Sequence, residues 1–194
     1  MSKKRAFILH GWGGHPYEGW FPWLKNALET RGFEVSVPQL METENPRIYN
    51  WVPQIAETVG TLDENCCFIG HSMGCQAIAR YLESYGNGIK VSGAVFVAGF
   101  FKRLMGLEED LQVQETDKHW LESPVDLLKI KSHLKKSVAF FSDNDPWVPL
   151  DNQDDFRNKI GSEVIIVNNM GHFSGSNDIF ELPIVLDEVL KLTE

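Results

Sequence analysis

Gly70, His71, Ser72, Met73 and Gly74 spell G-x-S-x-G between an apolar run, Cys66 to Ile69, and a segment of helical spacing, Met73 to Ser84. A serine on so tight a strand-to-helix turn is held in a strained backbone conformation. Its neighbours two residues away must be small for the turn to close, and Gly70 and Gly74 meet that demand. A helix beginning at Met73 points its N-terminal amides at the serine, where negative charge develops during acyl transfer. The chemistry predicted is nucleophilic attack by Ser72 on an acyl carbon.

A serine hydroxyl needs a histidine to take its proton and an acid to orient that histidine. His172 lies in Asn169, Met170, Gly171, His172, Phe173, just past the last predicted strand, and Gly171 frees the backbone to turn the imidazole over the sheet. The other histidines fit solvated or structural roles: His71 belongs to the turn, His15 to a glycine-rich loop, and His119 and His133 have no flanking glycine. The acid is expected after the penultimate strand, in the run Ser142 to Pro149. Asp143 and Asp145 compete there. Asp145 precedes Pro146, which fixes an extended backbone, whereas Asp143 is placed to close a local Asx turn, so Asp145 is chosen. The order Ser72, Asp145, His172, each at the C-terminal end of its own strand, is the order expected of α/β-hydrolases.

His10, Gly11, Trp12, Gly13 and Gly14 follow the first strand. A glycine-rich turn lets a backbone N–H approach substrate, so the amides of Trp12 and Met73 are the expected oxyanion donors. A nucleotide-phosphate loop fails in detail. Pro16 and Tyr17 stand where G-x-G-x-x-G needs glycine, and Trp20 and Phe21 replace the Lys and Ser/Thr of a P-loop. Aromatic residues gather just after predicted strand ends, which suggests an apolar substrate pocket lined by His10, Phe100, Trp147 and Phe173; the competing reading puts half of the aromatics in the core. Cys66, Cys67 and Cys75 lack C-x-x-C spacing and no H-E-x-x-H occurs, so no metal or cofactor is called for.

Positioning these groups requires strands that end where the chemistry begins. Apolar runs at Ala6 to Leu9, Phe33 to Val37, Cys66 to Ile69, Val91 to Val97, Val138 to Phe141 and Val164 to Val167 predict six mainly parallel strands, buried on both faces. Helices are predicted over Trp20 to Thr30, Ile48 to Val59, Met73 to Ser84, Leu150 to Lys159 and Ile179 to Leu190, with Gly32, Gly86 and Gly161 at C-cap positions. This alternation means a three-layer α/β/α sandwich. Gly99 to Ser132 breaks it, and two readings stand: short helices forming a small cap, or a crossover helix with an irregular lead-in.

The whole chain, 1–194, reads as one domain without repeats or linkers. Its 27 acidic and 18 basic residues leave a net charge of −9, the wrong sign for nucleic acid or an anionic membrane. An odd cysteine count fits a reducing compartment, and the N-terminal apolar run is too short for a signal peptide or span, so a cytoplasmic protein is expected.

HGWGG at 10–14, GHSMG at 70–74, SDNDPWVP at 142–149 and NNMGHF at 168–173 together resemble the small single-domain serine hydrolases of the α/β-hydrolase superfamily, more narrowly the retinoblastoma-binding protein 9 family and its bacterial relatives. The resemblance implies Ser72 as nucleophile, Asp145 as acid, His172 as base, Trp12 and Met73 as oxyanion donors, and only a minimal cap. It does not imply a retinoblastoma-protein partner, because no cysteine here has Glu two residues later, as L-x-C-x-E requires. The expected activity is hydrolysis of small carboxylic esters. A thioesterase or amidase on the same residues, or a non-catalytic interaction module keeping the fold, are the alternatives.

Overall fold

The computed structural model describes residues 3–86, 88–106 and 111–194. Six strands, β1 (Arg5–Leu9), β2 (Glu34–Ser36), β3 (Cys66–His71), β4 (Val91–Val97), β5 (Leu134–Ser142) and β6 (Glu163–Val167), form one sheet among the described residues. The order is β2-β1-β3-β4-β5-β6 with every pairing parallel. The chain leaves β1 toward one edge and then crosses to the other side, so the switch in direction falls between β1 and β3. Ligands of open parallel sheets bind outside the carboxyl ends of strands at such a point.

Helices cover both faces: α1 (Phe21–Glu29) and α7 (Pro183–Leu192) on one, α2 (Ile48–Val59), α3 (Met73–Glu83) and α5 (Leu127–His133) on the other. Strand side chains alternate between the two cores. In β1, Ala6 and Ile8 pack toward α1 and α7 while Phe7 and Leu9 pack toward α2 and α3. In β3, Cys67 and Ile69 take the first side and Cys66 and Phe68 the second. Both faces are therefore apolar, which gives the unbroken hydrophobic runs seen in the sequence.

Several boundaries differ from expectation for local reasons. β5 begins at Leu134 because Leu134 pairs with Val91, and the exposed Lys135 and Lys136 disguise this start as a loop. The helix expected over 150–159 is a 3-10 turn (Leu150–Asn152), one α turn, α6 (Gln153–Asp155), and a wide π turn (Phe156–Ile160). The wide turn sets Phe156 among the rings of Phe96, Phe101 and Phe141, with centroids 5.0–5.5 Å away. α7 starts at Pro183, a residue suited to the first turn, after Asp178 has bent the chain at φ 61°. Gly161 is a left-handed C-cap as expected, but α1 and α3 close on Thr30 and Ser84, and the glycine that ends α2 is Gly60.

Segment 99–132 contains α4 (Leu111–Glu122) and α5. Trp120 of α4 is fully buried against Trp51 of α2, ring centroids 5.5 Å apart, and its Nε1 donates to the Pro46 carbonyl at 2.9 Å. Leu107, an apolar residue of this segment, lies outside the described residues. No described helix is long and apolar enough to cross a membrane.

Candidate active site

β3 ends at His71, and Ser72 turns the chain into α3 at φ 53°, ψ −122°, a conformation disfavoured for a residue with a side chain. Close packing enforces it. A Cβ on Gly70 would meet the Cys75 nitrogen at 2.8 Å, and one on Gly74 would meet the Leu9 carbonyl oxygen at 2.3 Å. The Ser72 N–H donates to the Val97 carbonyl at 2.8 Å, and the Cys75 thiol donates to the Gly70 carbonyl at 3.2 Å. The turn is thus tied to β4 as well as to its own strand.

The loop after β1 comes directly against this serine. A Cβ on Gly11 would lie 2.9 Å from the Ser72 Cβ and 3.4 Å from its Oγ. Among the described residues, neither the Trp12 nor the Met73 N–H is spent on a loop or cap carbonyl. His10 anchors the loop from below, its Nδ1 donating to the Gly11 carbonyl at 2.9 Å while its Nε2 accepts the Leu40 N–H at 3.1 Å. Burial lowers the His10 pKa, in keeping with a neutral ring that both accepts and donates.

His172 Nδ1 and Asp145 Oδ2 are 2.8 Å apart, both side chains buried. The other carboxylate oxygen, Oδ1, accepts the N–H groups of Trp147 at 2.9 Å and Val148 at 3.0 Å. With Nδ1–H held by the carboxylate, Nε2 of a neutral His172 carries the lone pair. Two buried side chains hold the backbone behind the imidazole. His71 Nε2 donates to the His172 carbonyl at 2.7 Å, and Trp20 Nε1 donates to the Phe173 carbonyl at 2.8 Å. Burial, reinforced by the neighbouring His172, pushes the His71 pKa down to about 3, so His71 stays neutral beside the His172 ring.

Three further side chains, whose roles the sequence did not reveal, join the loop after β5 to the loop after β6. Ser142 Oγ accepts the Met170 N–H at 3.0 Å, Asp143 Oδ1 the Asn169 N–H at 2.8 Å, and Asn144 Oδ1 the Gly171 N–H at 2.8 Å. Asp143 is therefore a clamp on the loop that carries His172, and the local Asx turn expected of it is made by Asp145. The signal available was the polar run S-D-N-D directly after an apolar strand, a composition suited to binding nearby backbone.

Ser72 and His172 open into one cleft of about 300 Å³, whose wall includes Gly11, Trp12, Leu104 and Trp147. Trp147 stands edge-on to His172, ring centroids 4.9 Å apart. The other three residues expected to line the pocket do not. His10 and Phe173 are fully buried and Phe100 is 1% exposed, all within the packed interior, because the strand ends they follow turn them inward. Leu104 and Glu18 are lining residues the sequence did not single out. No group of three or more His, Cys, Asp and Glu among the described residues is arranged to hold a metal ion.

Residues 6–190 match the family described as Serine hydrolase. The chain belongs to that serine hydrolase family. The hydrolase is 30% identical over 184 residues to the candidate hydrolase YdeN of Bacillus subtilis, covering 95% of this chain and 93% of that protein. It is 27% identical over 178 residues to the serine hydrolase RBBP9 of Rattus norvegicus, covering 90% of each. The crystal structure of the YdeN gene product superposes with a TM-score of 0.88 at 29% identity over 98% of both chains. Est1E from Butyrivibrio proteoclasticus, at 14% identity and a TM-score of 0.72 over 98% of this chain and 88% of its own, shares the α/β-hydrolase fold.

Proposed function

We propose that this serine hydrolase cleaves small carboxylic esters, with Ser72 as nucleophile, His172 as general base and acid, and Asp145 as the group that orients it. The observation that carries the reading is the 2.8 Å contact of Asp145 with His172 Nδ1, which leaves Nε2 in the cleft that Ser72 enters. Ser72 Oγ attacks the ester carbonyl carbon as Nε2 takes its proton. The tetrahedral oxyanion is held by the N–H groups of Trp12 and Met73, a kind of donor whose loss costs about 2.7–4 kcal/mol in the barrier. Collapse expels the alcohol, which leaves with the proton from Nε2, and a water activated by the same nitrogen hydrolyses the acyl-enzyme. The chain acts as one domain, and the lead-in to segment 99–132, with Leu104 on the cleft wall, is all that the described residues offer as a cap.

The test is hydrolysis of p-nitrophenyl esters of rising acyl length, alongside labelling by a serine-reactive phosphonate. By analogy with well-studied triads, Ser72→Ala and His172→Ala should lower turnover about 10⁶-fold and Asp145→Asn about 10⁴-fold. A larger loss in Asp143→Asn than in Asp145→Asn would move the acid. Labelling without ester turnover would redirect the substrate to thioesters or amides; neither labelling nor turnover would leave an interaction module.

A further inference from the structure

The cleft wall holds a carboxylate that acyl transfer does not use. Glu18, in the loop between β1 and α1, lines the same cleft as Ser72 and His172. Its carboxylate lies over Gly14, where an added Cβ would come within 2.7 Å of Oε1. Among the described residues it is the only carboxylate on the wall, and no Lys or Arg lines the cleft. The charges that act on it come from His15 and His172, with no Lys or Arg among them. Trp12 and Trp147 share this wall, and Trp147 is 40% exposed although it packs against the base. A carboxylate with no Lys or Arg partner among the described residues, in one small cleft with two indoles, is a set suited to a positively charged nitrogen: the carboxylate supplies the counter-charge and the ring faces attract the cation and its carbon substituents.

We infer that Glu18, with Trp12 and Trp147, selects substrates bearing a positively charged nitrogen, so that the preferred substrates are esters of ammonium-bearing acids or alcohols. This rests on the ester reading of Ser72 and narrows it. The net charge of −9 acts in the same direction at longer range by attracting cations to the molecule. Burial raises the Glu18 carboxyl above the usual carboxylate range. Selection for the cation needs the ionised form, so it fades as pH falls, and does so at a higher pH than an exposed glutamate would impose.

Matched substrates test this: an α-amino acyl ethyl ester against its des-amino analogue, and a choline ester against the 3,3-dimethylbutyl ester of the same acid. The wild type should favour the cationic member of at least one pair by about tenfold or more in kcat/KM. The ratio should fall to about 1 in Glu18→Gln and recover in part in Glu18→Asp, which keeps the charge. Equal treatment of both members by the wild type overturns the inference. So does a Glu18→Gln defect that lowers both members together and keeps the ratio, since Glu18 would then act through His172. A neutral and a cationic phosphonate of equal size separate this from the underlying reading. Labelling at equal rates overturns only the cation selection, whereas labelling by neither overturns the role of Ser72 and the inference with it.

Discussion

His71 stands next to Ser72, between the rings of Trp20, Phe21 and His172, with no room for charge. In the unfolded chain a histidine takes up a proton near pH 6.5, whereas folded His71 resists until about 3. Across that window the unfolded state holds the extra proton, so stability falls as pH falls, by up to about 1.4 kcal/mol per pH unit for each such histidine. Urea midpoints measured from pH 7.5 to 4.5 should drop steadily in the wild type and less steeply in His71→Gln; identical slopes would refute this account. The sequence could not reveal this role, because the carbonyl that His71 serves belongs to His172, 101 residues away. The three residues proposed as a triad could be singled out in the sequence, since Ser72, Asp145 and His172 each carry a local signature of glycine or proline. Asp145 was chosen for the proline after it, yet what fixes its carboxylate is the pair of amides at Trp147 and Val148.

At the level of elements, His172 does not depend on its own loop for its place. Ser142, Asp143 and Asn144 at the end of β5 hold the amides of Met170, Asn169 and Gly171 after β6, so the loops that carry Asp145 and His172 are tied into one unit. Asn144 is the central link, because its Oδ1 takes both the Ser142 hydroxyl and the Gly171 N–H. Asn144→Ala should cost about 1–3 kcal/mol in stability from the partners left unsatisfied. It should also lower kcat more than it raises KM, because it leaves the cleft wall intact while loosening the base; a pure KM effect in steady-state kinetics would contradict this. Strands and most helices were legible because burial on both faces writes continuous apolar runs. The turn at 150–160 was not, because its hydrogen-bonding pattern follows from where Phe156 must pack rather than from its own propensities.

For the molecule as a whole, α3 connects the site to the insertion. Ser72 stands at its N-cap, and about two turns on, Arg80 reaches out of the helix to the carbonyls of Trp120 at 2.6 Å, Ser123 at 2.9 Å and Pro124 at 3.2 Å. This guanidinium gathers the end of α4 onto the hydrolase core. Arg80→Leu should cost about 1–3 kcal/mol and speed amide exchange over 111–124 well before that of the sheet; uniform acceleration throughout the chain would show that the insertion unfolds only with the core. Such long-range ties are what the sequence hides, since an arginine inside a helical pattern looks like any solvated residue. The buried thiols lead to a further consequence. Cys66, Cys67 and Cys75 are all free and buried, and burial pushes the Cys67 thiol up to about 12 and Cys75 higher still. Only the thiolate reacts, so the native fold offers a disulfide reagent almost nothing. Because the Cys75 sulfur sits directly beneath the serine turn, its modification rate becomes an internal clock for how often that turn breathes, readable in the resting protein with no substrate at all.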